Sequence, residues 1–570
     1  MRKRSLMLIA LAAAFAAGDA LADYASMCKE AVKRKREIIW QVWDRSPYTW
    51  AKGEAFNVAK FPAKSGLTEL AKAPVMVDTV VFIPLGNFAN LSANIPSSEP
   101  VKRQPQGSWQ LAGVKNVIEE FFKAGTDTVK EASKWARAEK KEFFVSLPVN
   151  AKVHAGAYNL KAPPPPWIWN NYLIGPWKLK NMMLLMGGPQ SEGAKASKGK
   201  AENPPHGSWL SVDYGLEPVR EKYCAMVKDI ADKYDIDGIV VDMSSGELLA
   251  EVAWGATASA KTTQALTDMM TKIKGRLQAA SEKKNHAILL VVRVPDSAGY
   301  CKDIGIDLGG WLEAKIPDLV ITAGQYNQRS VMGEFFKKYG TPYYASIGPT
   351  GIYVGNDSGW SGDDERMPRH SKPSIAARMM EALGPGNAAG MYCGNDPYNW
   401  HRVGPGAIVP ANLKDLKYLN KRYFTTPTAA GGFHLKDGAK KYLSVPQLYS
   451  GSPKEMKSGV YAQSVCVWDD VAARQKEGKA PQCFLTTEVA IPGGMDIEVT
   501  LNGKKLKLVR KYAGCQEFEA PLNSVKYGKN DVTVKPLGKN KRGNVCYIGN
   551  IAIDVVFDMK AAGRIEEEDK

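Results

Sequence analysis

The sequence predicts an α/β chain: a (β/α)8 TIM barrel with long loop insertions, followed by a C-terminal antiparallel β-sandwich. Three observations predict it. Short apolar runs rich in Val and Ile alternate with helical patterns between residues 37 and 425. Such runs end in polar or small residues, as strands do where a barrel opens. From about Gly431 the hydrophobic period falls to two, the period of half-buried antiparallel strands. A doubly wound open sheet is the alternative, but no GxGxxG follows the first strand, which disfavours its dinucleotide-binding version.

The elements follow in order. Glu37–Trp43 is the first strand, entered from the basic run 29–36 and ending at Asp44. Residues 51–72 read as loop and short helix. Asp78–Pro84 is the second strand. Residues 86–109 lack periodicity, and Val114–Glu139 carries Val117, Phe121, Ala124, Val129 and Trp135 at helical spacing. Phe143–Leu147 is the third strand. An irregular stretch to Val212 holds four consecutive prolines, Pro163–Pro166, then Trp167, Trp169 and Trp177. Helix 217–233 feeds the fourth strand, 239–241. Helix 262–281 and strand 287–294 come next, then helix 303–314 and strand 317–323. Helix 331–339, strand 342–347, helix 374–383 and strand 388–393 complete the alternation, and 413–423 reads as a last helix. Beyond it, Ile497–Leu501, Asn502-Gly503 and Leu506–Val509 spell a hairpin. Tyr527–Asn530 reads as another turn, and Asn550–Phe557 as a final strand.

The expected domains are a signal peptide at 1–22, the barrel at 23–425, the sandwich at 440–560 and a charged tail at 561–570. The N-terminus has a basic region (Arg2, Lys3, Arg4), an apolar region (Leu6–Ala17) and a small-residue end (Ala20-Leu21-Ala22). Export to the periplasm or the medium follows. No later apolar run has the ~20 residues of a membrane helix. Formal charge is +17 over 570 residues, which favours polyanionic partners. No zinc-finger, RNP-like or helix-turn-helix pattern points to nucleic acid. The 8 cysteines form no CxxC pair and the 6 histidines are scattered, so no metal or other cofactor is expected. An even cysteine count in an exported chain permits disulfides, with Cys466, Cys483, Cys515 and Cys546 placed to staple the β domain. Buried free thiols are the alternative. Oligomeric state is not legible.

The chemistry centres on YDIDGIVVDMSSGE, residues 234–247. Asp242 ends an apolar strand and precedes the small-residue loop Ser244-Ser245-Gly246. Strand ends are where barrels keep their reactive groups. Glycoside hydrolysis needs two carboxyl groups across a cleft. Asp242 is the first candidate, as nucleophile or base, with Glu247, Asp296 or Asp396 as partner acid. Asp44 and Asp396 also end strands and count among the substrate contacts. Arg293 is placed to bind an anionic substituent or to pair with Asp242. Asn150, His154, Tyr326 and Asn395 are candidate contacts to sugar hydroxyls. Trp167 and Trp169 offer flat apolar faces to pyranose rings.

Three segments then resemble secreted bacterial glycosyl-hydrolase-like barrels, the family-10-like group. They are PVREKYCAMVKDIADKYDIDGIVVDM (218–243), RVPDSAGYCKDIGIDLGGWLEAKIPDLVITAG (293–324) and GNAAGMYCGN (386–395). The LNGKKL and YGKNDVTV patterns resemble the accessory sandwich attached to such barrels. The resemblance implies an exported glycoside hydrolase acting on polysaccharide, for which the basic surface suggests acidic or sulfated chains. The chain departs from the family after its third strand, where PVNAKVHAG keeps only Asn150 and His154 of an Arg, Asn, Asp and His pattern. It offers no glutamate in YYASIG, where family 10 xylanases need one, and Ser244 stands where a chitinase-like DxxDxDxE pattern needs glutamate. A non-catalytic carbohydrate-binding protein on a degenerate barrel is therefore the second expectation.

Overall fold

The computed structural model describes residues 24–44, 50, 54–71, 77–84, 117–150, 181–184, 186, 212–244, 249–250, 252, 256–323, 329–346, 371–394, 412–425, 441–442, 448, 454–456, 459–490, 496–512, 514–537 and 546–562. Eight parallel strands close into a barrel in chain order. They are β1 (Ile38–Trp43), β2 (Thr79–Ile83), β3 (Glu142–Pro148), β4 (Gly238–Asp242), β5 (Leu289–Val294), β6 (Leu319–Thr322), β7 (Tyr343–Ser346) and β8 (Gly390–Gly394). Closure is made by β8 against β1, with Ile39 opposite Tyr392 and Gln41 opposite Gly394.

Strand parity sorts the side chains into two cores. Ile38, Trp40, Val42, Ile239, Val241, Leu290 and Val292 pack outward against the helices. Ile39, Val81, Phe144, Val240, Val291, Ile321 and Tyr392 fill the lumen. Burial on both faces explains why these strands read as continuous apolar runs. Helical residues 24–32 close the lumen floor with Tyr24, Cys28 and Ala31. The basic run before β1 therefore begins inside a helix that plugs the barrel.

The floor is polar and tightly bonded. Arg36 is fully buried and forks onto Glu142, Nε to Oε2 at 2.6 Å and Nη2 to Oε1 at 2.7 Å. Thr79 Oγ1 donates to the same carboxylate at 2.6 Å. Three aspartates lock the strand starts. Asp78 accepts from Ile38 N–H, Asp237 from Phe143 N–H and Asp318 from Leu290 N–H, at 3.0, 2.7 and 2.8 Å. These residues serve stability, as the amino end of a barrel does.

Several expected helices are corrected. The pattern 114–139 is two helices, Val117–Lys123 and Thr128–Ala138. Gly125 turns the chain at φ 71° and Asp127 caps the second helix by accepting from Lys130 N–H. The pattern 303–314 is likewise interrupted at Gly305 (φ 90°), giving Ala298–Asp303 and Leu308–Glu313. The last helix stops at Leu416, and Lys421–Phe424 is a strand, β9. Its alternating burial, Lys421 and Tyr423 inward, has the period of a strand.

The C-terminal part is two antiparallel sheets sharing one core. One contains β10 (Lys454–Glu455), β18 (Tyr547–Val556), β12 (Gln482–Ala490), β16 (Cys515–Glu519) and β15 (Lys507–Tyr512), with β9 paired to β18. The other contains β11 (Tyr461–Val467), β17 (Gly528–Leu537), β13 (Asp496–Leu501) and β14 (Lys504–Lys505). The Asn502-Gly503 turn is present, with both residues at positive φ as a tight hairpin requires. Its return strand divides at Leu506. β14 pairs with β13, whereas β15 crosses to the other sheet. Gly528 to Asn530 belong to β17, not to a turn. All eight cysteines are free, so no disulfide staples the sandwich; apolar burial holds it instead.

Candidate functional site

A polar layer sits on the apolar lumen at the carboxyl end of the strands. Two residues beyond Ile39, Phe144, Val240 and Val291, the inward series reaches Gln41, Ser146, Asp242 and Arg293. Asp242 and Arg293 are direct neighbours in the β4–β5 register. Both are buried, 5% and 7% exposed.

Three donors converge on Asp242. Ser244 N–H and Oγ donate to Oδ1 at 2.9 and 2.6 Å. Arg293 Nη1 donates to Oδ2 at 2.8 Å. A guanidinium and a backbone N–H can only donate, so Asp242 accepts here at both oxygens. Arg293 Nη1 also reaches Gln41 Oε1 at 3.4 Å, and the guanidinium carbon lies 4.8 Å from the centre of the Tyr392 ring. Tyr392 donates its hydroxyl to Gln41 Oε1. Burial works against the charge on Arg293, but the Asp242 carboxylate and the Tyr392 phenol together outweigh it and hold the guanidinium above its ordinary range. Burial also pushes the Tyr392 phenol up, against the pull of Arg293. The cluster is thus a carboxylate, a cation stacked on an aromatic ring, and an amide that joins them.

The other expected residues divide. Asp44 is fully buried and continues the β1 ladder, its N–H donating to Ile83 O at 3.0 Å. That places it in the outward series with Trp40 and Val42, away from the inward series of Asp242. Asn150 is committed locally, donating Nδ2 to Val212 O at 3.1 Å. Asp296 is fully buried just past β5, where burial and its carboxylate both push the Cys301 thiol up. Glu247, His154, Trp167, Trp169, Tyr326, Asn395 and Asp396 lie outside the described residues. No group of three or more His, Cys, Asp or Glu positioned for a metal occurs among the described residues.

Gln41 and Tyr392 join the site without having been singled out in the sequence. Gln41 carried a signal nonetheless. It is the one uncharged polar residue inside IIWQVW, and a lone amide in a buried strand demands a partner. Tyr392 in GMYCG carries no comparable mark, because a tyrosine in a lumen is ordinary packing.

No protein-family model matches the sequence, and no curated protein is similar to it. Among solved structures, a family 36 α-galactosidase from Geobacillus stearothermophilus superposes with a TM-score of 0.32 at 11% identity, over 88% of this chain and 56% of that one. An α-galactosidase from Lactobacillus brevis gives 0.34 at 11%, over 90% and 56%. α-L-Fucosidase isoenzyme 2 from Paenibacillus thiaminolyticus gives 0.33 at 11%, over 66% and 49%. The chain spans little more than half the length of the galactosidases it matches. Superpositions this loose carry no weight for chemistry or substrate, and the barrel assignment stands on the strand ladder itself.

Proposed function

We propose that the chain is an exported glycoside hydrolase acting on a polysaccharide, with acidic or sulfated chains favoured by its +17 charge. The observation that carries this reading is the pairing of Asp242 with Arg293, side by side and inward-facing at the carboxyl end of a closed barrel. Asp242 would serve as nucleophile or base. An acceptor with three donors is poorly placed to be the acid, which would come from Glu247, Asp296 or Asp396. Export rests on the N-terminal pattern. Cleavage after residue 22 would retain Tyr24, Cys28 and Ala31, which close the lumen floor. N-terminal sequencing of the processed protein should then begin near Asp23.

A second reading, a carbohydrate-binding protein without catalysis, is favoured by one feature. Both Asp242 oxygens are already engaged, Oδ1 by Ser244 and Oδ2 by Arg293. The mature protein incubated with neutral and acidic polysaccharides separates the two readings. Hydrolysis releases reducing ends, and Asp242→Asn should lower that rate by ~10³ or more, the scale seen when a catalytic group is removed. Binding without any release of reducing ends would establish the second reading instead.

A further inference from the structure

We propose that the end of the sandwich at Trp468 and Tyr527 is a second carbohydrate site, a platform on which a pyranose ring of a glycan chain stacks. This rests on the carbohydrate reading above but uses none of the residues of the barrel mouth. Strands β11 and β17 run antiparallel with Val467 opposite Gly528, so the next residues outward, Trp468 and Tyr527, meet across the strand ends. Their rings lie edge to face, centroids 5.5 Å apart at 75°. Trp468 is half-buried, whereas Tyr527 remains 53% exposed.

The backbone at the start of β17, which presents Tyr527, is firmly held. Asn530 has no exposed surface. Its Oδ1 accepts from Lys526 N–H at 2.8 Å and from Asn502 Nδ2 at 2.9 Å. Its Nδ2 donates to Lys526 O and Gly528 O at 2.8 and 2.9 Å. Gly528 takes φ 86°, a conformation that side-chain-bearing residues rarely adopt. A buried amide with four hydrogen bonds therefore holds the backbone on both sides of an exposed aromatic ring, and Trp468 meets that ring edge to face. Folding gains little from such a ring, since its apolar area stays hydrated. Binding gains more, because the backbone that carries the ring needs no ordering when a ligand arrives.

The surroundings suit a sugar. The flat C–H face of a pyranose packs on an aromatic face. Lys526 and Lys529, on either side of the Tyr527-Gly528 pair, are exposed ammonium donors. The carboxylates of Asp470 and Asp469 lie near enough to reinforce what burial does to the Tyr527 hydroxyl, raising its pKa. The exposed Asp470 caps the helix Val471–Lys476 through Oδ1, accepting from Ala473 N–H at 2.9 Å, and its other oxygen adds an acceptor for sugar hydroxyls. Stacking face, acceptor and donors thus occur together on one rigid edge.

Affinity electrophoresis of the full mature chain tests this, in gels containing dextran, xylan, polygalacturonate or chondroitin sulfate. At least one gel should retard the protein. Tyr527→Ala should weaken that retardation by about tenfold, the scale of one lost aromatic contact. Tyr527→Phe should stay within about twofold, and the melting temperature should not move, because the ring is largely exposed. Preference for the two acidic gels would assign a role to Lys526 and Lys529. Unchanged retardation of Tyr527→Ala would overturn the second site while leaving the barrel reading standing. Failure of every gel to retard the chain would also overturn it, whereas released reducing ends would still support hydrolysis at the mouth.

Discussion

At the scale of single residues, two buried carboxylates are tied to cations at opposite ends of the barrel. Asp242 is bound to Arg293 at 2.8 Å, and neither side chain is appreciably exposed. Asp242→Asn leaves that guanidinium without its counter-charge. Removing one partner of a buried pair costs about 3–5 kcal/mol. The variant should therefore unfold at lower urea, and its turnover must be corrected for the folded fraction before a catalytic role is read from it. Asp237 works at the floor. Burial alone would raise its pKa, but His286 at 3.0 Å, Arg137 at 2.5 Å and the N–H of Phe143 at 2.7 Å bring it down to about 2. A carboxyl depressed in the folded state stabilises above its unfolded value of 3.8 and loses that contribution as pH falls towards about 2. Between pH 5 and pH 2 the unaltered chain should lose about 2 kcal/mol more than Asp237→Asn. Equal losses in urea titrations at the two pH values would remove Asp237 from the acid response.

At the scale of elements, glycines decide how closely strands approach what lies beneath them. Gly390 opens β8 directly against the carbonyl oxygen of Arg36, and a Cβ built there would overlap it. Backbone cannot move aside as a side chain can. Gly390→Ala should destabilise by about 2–3 kcal/mol, read as a lower urea midpoint. Gly275 is the contrast. It lies within the helix Ala260–Lys284 with nothing near its missing side chain. Gly275→Ala should stabilise by about 0.5–1 kcal/mol, because alanine loses less backbone freedom on entering a helix. If both variants shift stability in the same direction, close approach is not what retains Gly390.

At the scale of the whole molecule, barrel and sandwich are joined through β9. Its four residues follow the barrel yet pair with β18, Arg422 opposite Asp554 and Tyr423 opposite Ile553. Arg422 forks onto Asp554 at 2.5 and 2.8 Å. Lys421 and Tyr423 both reach the buried Asp469, at 3.1 and 2.8 Å. We propose a domain boundary after residue 425, in the Thr-, Pro-, Ala- and Gly-rich run 425–432. A protease cutting between 426 and 440 would leave β9 on the amino-terminal fragment while it remains a strand of the sandwich sheet. The two fragments should co-elute in native buffer and separate only in denaturant. Separation in native buffer would show that β9 does not hold the parts together.

The sequence alone determined the eight buried strands, the helices between them, the change of period near residue 431, the Asn502-Gly503 turn and the place of Asp242 at a strand end. Each of these is written in neighbouring residues, where period and turn chemistry act. Only the tertiary structure decided which groups Asp242 and Arg293 meet. Gln41 and Tyr392 stand 351 residues apart and touch only because β8 closes onto β1. The same holds for β9, whose apolar spacing suits a helix until β18 supplies the hydrogen-bonding edge that makes it a strand. Asp44 and Asp242 look alike in sequence, each a carboxylate ending an apolar run. Ladder parity sends one outward and the other into the lumen, and parity is set by the register of the strands on either side.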